Sequence, residues 1–180
     1  DEAAALARRV AAEASATGRR PVFVDLNANS PETAKGLLAE VAAAGCRAVD
    51  GSIIGMPPKS GDAGPVLYVC GPDAGEVAVL SGFGLRIGVL DAPVGGASAL
   101  KMCYGGITKG LIAIGSAMIL AAGRAGVAGA LHEEMAASQS ALLQRYGKAL
   151  PDMYDKAYRW VPEMREIAAF LGEEHAEHRL

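Results

Sequence analysis

Aromatic residues are scarce, 5% of 180 residues with a single Trp, so a core built on large rings is excluded. The 51% of hydrophobic residues, with 23 Gly and abundant Ala, instead favours close packing of backbones, helix on sheet or helix on helix. Cysteine is scarce as well. Cys46, Cys70 and Cys103 are odd in number, lack close pairing and sit in apolar runs, so a disulfide framework is not expected and a reduced, cytoplasmic compartment is. There is no excess of basic charge: 17 basic against 20 acidic residues leave −3, and nucleic acid is not expected as a partner. Long apolar runs are missing too. The longest uncharged run, Gly110 to Gly123, falls short of the roughly 20 residues that span a bilayer, and it reads as buried helix. The charged, Ala-rich start from Asp1 to Arg9 lacks the apolar centre of a secretory signal, so no membrane partner is expected.

What is there is a β/α alternation followed by helices. Helical spacing of Ala, Leu and Val runs from Asp1 to about Thr17 and stops at Gly18. Pro21 to Leu26 reads as a short buried strand, and Asn27 to Ser30 as a polar loop. Ser30 is placed to cap a helix that has Pro31 at its first position and runs to about Ala44. Arg47 to Ile54 is the next strand, which predicts a βαβ unit in a parallel sheet. A Pro/Gly-rich loop over Gly55 to Pro65 leads to a strand at Val66 to Cys70, a helix to about Leu80 and a strand at Gly84 to Leu90. The composition breaks at Asp91 to Gly96. Beyond it, Ser98 to about Leu131 reads as one long helix, and the remainder as helices interrupted near Gly147 to Pro151 and at Pro162. The expected fold class is α/β followed by all-α, with lobes at residues 1–93 and 94–180.

A glycine fingerprint is the next absence. Dinucleotide binding needs a strand, a Gly-x-Gly-x-x-Gly turn and a helix whose N-terminus holds the pyrophosphate, and no such unit occurs. Gly82-Phe83-Gly84 lacks the third glycine and the helix. Gly95-Gly96 precedes a helix but follows a late strand, and reads as a hinge.

The stretch from Ala99 to Gly110 carries the most chemistry. On a helix, Lys101, Tyr104, Thr108 and Lys109 fall on one face, because three- and four-residue spacings stack side chains. That polar stripe either points to solvent or lines a cleft. A lysine in a dry cleft has its ammonium destabilised and can act as general acid or base.

The run Lys101-Met102-Cys103-Tyr104-Gly105-Gly106-Ile107 resembles the catalytic helix of 6-phosphogluconate and β-hydroxyacid dehydrogenases, in which a lysine opens a long helix. Ser98 to Met102 and Thr108 to Leu111 are closer to a poorly characterised branch of that superfamily. Two loops add to the resemblance. Val24 to Pro31 is similar to the family's Asp-x-Ser-Thr-x-x-Pro loop, and Val49 to Gly55 to its Asp-Ala-x-Val-Ser-Gly-Gly loop.

The resemblance implies a partial Rossmann-like, doubly wound lobe that binds NAD or NADP, and a helical lobe for substrate and dimerisation. It implies Lys101 as the proton-transfer residue, with Asn27 and Asn29 near the cofactor. Ser52 and Gly55 would meet the substrate's acid group. Read from the residues alone, Asn27 and Asn29 are ordinary turn formers and Ser52 a strand end. The resemblance puts the glycine fingerprint ahead of Asp1, so the chain is expected to be a fragment lacking the first ~80 to 100 residues of a normal-sized domain.

The sequence departs from the family pattern at three positions. Gly105 stands where an asparagine follows the lysine, and Ile54 and Met56 stand where the substrate loop has Ser and Gly. A more apolar pocket is therefore expected, with Tyr104 and Lys109 as compensating donors and Lys109 suited to an anionic group. Small residues along the long helix, Gly106, Gly110, Gly115 and Ala122, permit close approach of another helix. Arg159-Trp160 can bring a cation and a ring together. His175 and His178 among glutamates read as a solvated terminus, so no metal is expected. The expected partners are a small-molecule substrate and a second copy of the chain. The expected function is an NAD(P)-dependent oxidoreductase acting on a small, acidic hydroxy or keto metabolite. The alternative is a non-catalytic, dimerising helical module that keeps the fold.

Overall fold

The structure is a computed structural model and describes residues 2–172. His175 and His178, with their neighbouring glutamates, lie outside that range. The chain divides into two compact units, Asp1–Cys103 with Glu166–Leu180, and Tyr104–Arg165.

The first unit contains α1 (Glu2–Thr17), β1 (Val22–Asp25), α2 (Pro31–Ala43), β2 (Arg47–Ile54), β3 (Val66–Cys70), α3 (Ala74–Ala78, continued as a 3-10 turn over Val79–Phe83) and β4 (Arg86–Val89). Helix α4 (Gly96–Arg124) runs from it into the second unit. There α5 (Ala128–Ser138) and α6 (Ser140–Met153) follow, and α7 (Trp160–Leu171) begins.

The sheet order is β1-β2-β3-β4. β1 and β2 are parallel, as are β3 and β4, but β2 and β3 are antiparallel. The expected parallel sheet is thus corrected to a mixed one, two βαβ units joined back to back. The cause is the connection over residues 55–65, which contains no helix and is too short for a crossover. Gly55 makes the exit turn, with φ +135° and room for no side chain, since a Cβ would meet Pro65 Cα at 2.8 Å.

The local chemistry of α2 is as expected: Ser30 accepts from Thr33 N and Pro31 opens the helix. One face of the sheet packs Ala48, together with Leu37, Leu38 and Val41 of α2, against Ala7 and Ala14 of α1. The other buries Val49 and Val69 beneath Ala74 and Val77 of α3. Pleat alternation on β2 therefore assigns Ala48, Asp50 and Ser52 to the α2 side and Val49 to the α3 side.

Three helix boundaries correct the sequence reading. α4 ends at Arg124, not near Leu131, because Gly126 turns to φ +74° and Val127 N closes on Ala122 O. α6 continues past Gly147 and Pro151 to Met153. Pro162 lies inside the first turn of α7, where a missing N–H costs no bond.

α4 also differs from the buried helix expected. It is 29 residues long and, by length and composition, could cross a membrane, a test that core helices of soluble proteins also pass. Ile107, Ile114, Met118 and Leu120 are each more than half exposed. Within the second unit it does pack on α6: at Gly115 a Cβ would meet the Tyr146 ring at 2.5 Å, so glycine there admits the ring.

Candidate functional site

Asp50 lies in the middle of β2 with no exposed surface, and a buried carboxylate is tolerated only with a full set of donors. It has them. Oδ2 accepts from the backbone N–H of Gly95 (2.9 Å), Ala97 (3.0 Å) and Ser98 (3.2 Å), and Oδ1 from the Ser98 hydroxyl at 2.6 Å. These donors lie at the N-terminus of α4, where N–H groups lack helical partners and negative charge is favoured, and Ala97 N also reaches Cys70 Sγ at 3.2 Å. The Cys70 thiol donates to Oδ2 at 3.1 Å, with Pro93 O at equal distance. Burial first, then this hydrogen bond to Asp50, pushes the Cys70 thiol up to about 11. Gly96 is required by close approach, since a Cβ would stand 2.5 Å from Ala92 Cβ.

The clamp fixes where α4 starts, and Lys101 lies one turn along it. Its Nζ donates to Ile53 O at 2.8 Å, at the end of β2. Lys101 is half-buried and Met102 beside it fully buried, so the lysine reaches back to the turn that follows β2. Ser52, on the strand face shared with Asp50, is fully buried and its hydroxyl has no partner.

Asp25 ends β1 directly beside Asp50 in the register. It is 3% exposed and gathers the loop after β1: Asn27 Nδ2 donates to Oδ1 at 2.5 Å and Asn29 Nδ2 to Oδ2 at 2.9 Å. Asn29 is buried and Asn27 exposed. Both amides are thus turned inward and shape the loop. From α7, Glu166 Oε2 accepts from Ser30 N at 2.7 Å and from Thr33 Oγ1 at 3.2 Å, closing the other side of the same loop. The structure therefore brings Asn27, Asn29, Ser52, Gly55 and Lys101 to the C-terminal ends of the parallel pair β1 and β2. Open α/β sheets bind ligands at such ends.

The remaining sequence candidates lie in the second unit. Tyr104 is half exposed. Thr108 turns its hydroxyl onto the carbonyls of Tyr104 and Gly105 and leaves the polar stripe. Lys109 pairs with Glu163 at 2.7 Å, both side chains 16% exposed, and its Nζ lies 5.8 Å from the centre of the Trp160 ring. Arg159 instead lies over Tyr158. Gly105 is buried.

Sequence reasoning took Asp50 only as part of a loop motif and passed over Glu166. The signal for Asp50 was a lone carboxylate inside the apolar strand 47–54, which has to find donors. No comparable signal marks Glu166.

The residues present fit a nicotinamide dinucleotide only in part. The loop from Leu26 to Ser30 and the exit of β2 can border a nicotinamide ribose. The Gly95-Gly96 turn cannot hold pyrophosphate, because the Asp50 carboxylate already occupies that helix N-terminus. Among the described residues, no three or more His, Cys, Asp or Glu side chains are grouped to hold a metal ion.

Residues 122–180 match a family model described as a domain of unknown function, DUF1932. No curated protein matches the sequence. Among solved structures, the chain is similar to a conserved protein of unknown function that is described as structurally similar to 3-hydroxyacid dehydrogenases. The two are 29% identical with a TM-score of 0.77, over 96% of this chain and 64% of that one. A conserved hypothetical protein from Sinorhizobium meliloti 1021 is 27% identical with a TM-score of 0.75, over 93% of this chain and 57% of that one. An imine reductase from Myxococcus stipitatus, in complex with NADP+, shares the fold at 24% identity and a TM-score of 0.51, over 77% of this chain and 48% of its own. The chain thus spans less than two thirds of the length of each of these relatives.

Proposed function

With the fold and relatives of the β-hydroxyacid dehydrogenase-like superfamily as its premise, we propose that this chain supplies the lysine helix and substrate-side scaffold of an NAD(P)-dependent oxidoreductase. Its substrate is a small, acidic metabolite with a hydroxyl or keto group. The observation that carries the reading is Lys101, whose ammonium is held 2.8 Å from Ile53 O beside the turn that follows β2.

The nicotinamide supplies or takes the hydride. This chain handles the proton: on oxidation Lys101 Nζ, as the neutral amine, takes it from the substrate hydroxyl and becomes the ammonium, and on reduction the ammonium gives it to the carbonyl oxygen. The Asn27 to Ser30 loop borders the nicotinamide side, and Ser52 and Gly55 stand at the substrate side. Tyr104 offers a hydroxyl one turn further along α4. Lys109 meets an anionic group only by giving up Glu163. The free thiols suit a cytoplasmic enzyme.

A second copy completes the assembly. Tyr104, Ile107, Ile114 and Met118 are all at least half exposed, and their spacing follows the a and d positions of heptads on α4. The same stripe, together with Gly105 in place of the asparagine, supports the rival reading of a dimerising module without catalysis. Ile107→Glu with Ile114→Glu is expected to convert dimer to monomer in sedimentation. A wild-type protein that is monomeric at micromolar concentration refutes the dimer.

The deciding experiment uses the full-length protein. NADH or NADPH oxidation is followed with a panel of small keto acids, in wild type and Lys101→Ala. The variant is expected to lose turnover by about 10²- to 10⁴-fold while keeping cofactor affinity. Equal turnover in both, or no cofactor binding by the wild type, removes the enzymatic reading and leaves the module.

A further inference from the structure

We infer that Asp50 is a positioning residue for Lys101. The inference rests on the reading of Lys101 as the proton-transfer group, and concerns what aims its nitrogen.

Two ties join β2 to α4, and they are set three residues apart on both elements. Asp50 binds Ser98, and Ile53 O receives Lys101. Three residues are roughly 10 Å along a strand and about 4.5 Å along a helix, so the lysine stem covers the difference by reaching forward along β2. Where the ammonium lands depends on where α4 begins. A four-carbon stem has no stiffness of its own, and a one-turn displacement of its root would move the nitrogen off Ile53 O altogether.

The root is fixed chiefly by Asp50, with Cys70 Sγ also accepting from Ala97 N at 3.2 Å and Pro93 O from Gly96 N at 3.0 Å. The Asp50 carboxylate takes the N–H groups of Gly95, Ala97 and Ser98 together with the Ser98 hydroxyl, in a place that water does not reach. Gly96, pressed against Ala92, lets that turn come close enough to be held. Without a carboxylate at position 50, the N–H groups of Gly95, Ala97 and Ser98 lose their charged acceptor in a dry site, an asparagine there turns an NH2 group toward donors, and the turn is held less tightly. Lys101, the next residue but two after Ser98, moves with it.

The test reads the lysine without substrate or cofactor. Full-length wild type, Asp50→Asn and Ser98→Ala are treated with sulfo-N-hydroxysuccinimide acetate, and acetylation of Lys101 is followed by peptide mass spectrometry. Lys59 and Lys148 of the same molecules, both exposed and away from that turn, serve as references. Released from its seat, Lys101 is expected to react roughly tenfold faster relative to the references in Asp50→Asn, and about threefold faster in Ser98→Ala. Parallel acceleration of all three lysines, the signature of general loosening, overturns the inference. So does a Lys101 ratio unchanged in both variants. If Asp50→Asn fails to fold, Ser98→Ala, which deletes one bond of the set, decides alone. Failure of the catalytic reading shows separately, as turnover that survives Lys101→Ala.

Discussion

Ser98 donates its hydroxyl to Asp50 Oδ1 at 2.6 Å, joining the first turn of α4 to the middle of β2 with both side chains out of reach of water. A short charge-assisted bond of this kind between two distant elements fixes their spacing more tightly than apolar contact does. The chemistry proposed for Lys101 is built on that spacing.

The clamp also carries stability. Asp50→Ala leaves buried N–H groups with no acceptor and is expected to cost on the order of 3–5 kcal/mol, whereas Ser98→Ala removes one hydrogen bond and costs about 1–2 kcal/mol. Urea unfolding measures both. Equal and small losses would mean that the carboxylate is not the anchor.

Cys70 gives the clamp a pH signature. Its thiol is pushed up from 9.0 to about 11, by burial first and by its bond to Asp50 second. The folded state therefore holds its proton more tightly than the unfolded state. The resulting stabilisation is complete below pH 9 and is lost as pH rises from there through about 11. Between those values wild type should lose stability more steeply than Cys70→Ser, as measured by chemical denaturation at fixed pH. Iodoacetamide should modify the exposed Cys103 well before Cys70. Matching slopes for the two proteins would contradict the proton linkage.

Gly115 is set against the ring of Tyr146, with an added Cβ meeting Cε1 and Cζ at 2.5 Å. Gly115→Ala should cost about 1–3 kcal/mol through overpacking, despite the better helix propensity of alanine. Tyr146→Leu in the same chain should recover most of the loss. Thermal melts of the single and double variants decide the matter, and a stabilised Gly115→Ala would show that α4 and α6 are further apart.

Lys109 and Glu163 are a largely buried pair, so removing one charge strands the other. Glu163→Gln is expected to cost on the order of 2–3 kcal/mol, while Lys109→Met with Glu163→Leu should be close to neutral. Trp160, the one tryptophan of the sequence, lies beside the ammonium and reports the change through its emission. If Lys109 serves anion binding, Glu163→Gln should also tighten binding of a keto acid. Emission that ignores both substitutions would place the ring elsewhere.

Much of this was legible in the residues, and the reason differs from one element to another. Ser30 and Pro31 announce α2 because capping and a fixed φ act over three residues. The strand at Arg47 to Ile54 is visible because apolar runs between glycines leave few alternatives. The parallel pairing of β1 and β2 is legible in one helix between two short apolar strands, and the direction of β3 in a connection over residues 55–65 that has no helix to carry a crossover. Gly126 is the stop that ends α4 short of Leu131, and Pro151 is carried inside the last turn of α6, where it forfeits one helical bond without ending the helix.

The sequence by itself determined the order of elements, the caps and the presence of a lysine at the opening of a long helix, since these follow from interactions between neighbours in the chain. Only the tertiary structure decided what each polar side chain does. Asp50 and Ser98 are separated by 48 residues, and Ile53 and Lys101 by the same number. Nothing local obliges those groups to meet. They meet because a buried carboxylate and the unpaired donors of a helix N-terminus are each costly alone, and packing α4 on β2 satisfies both at once.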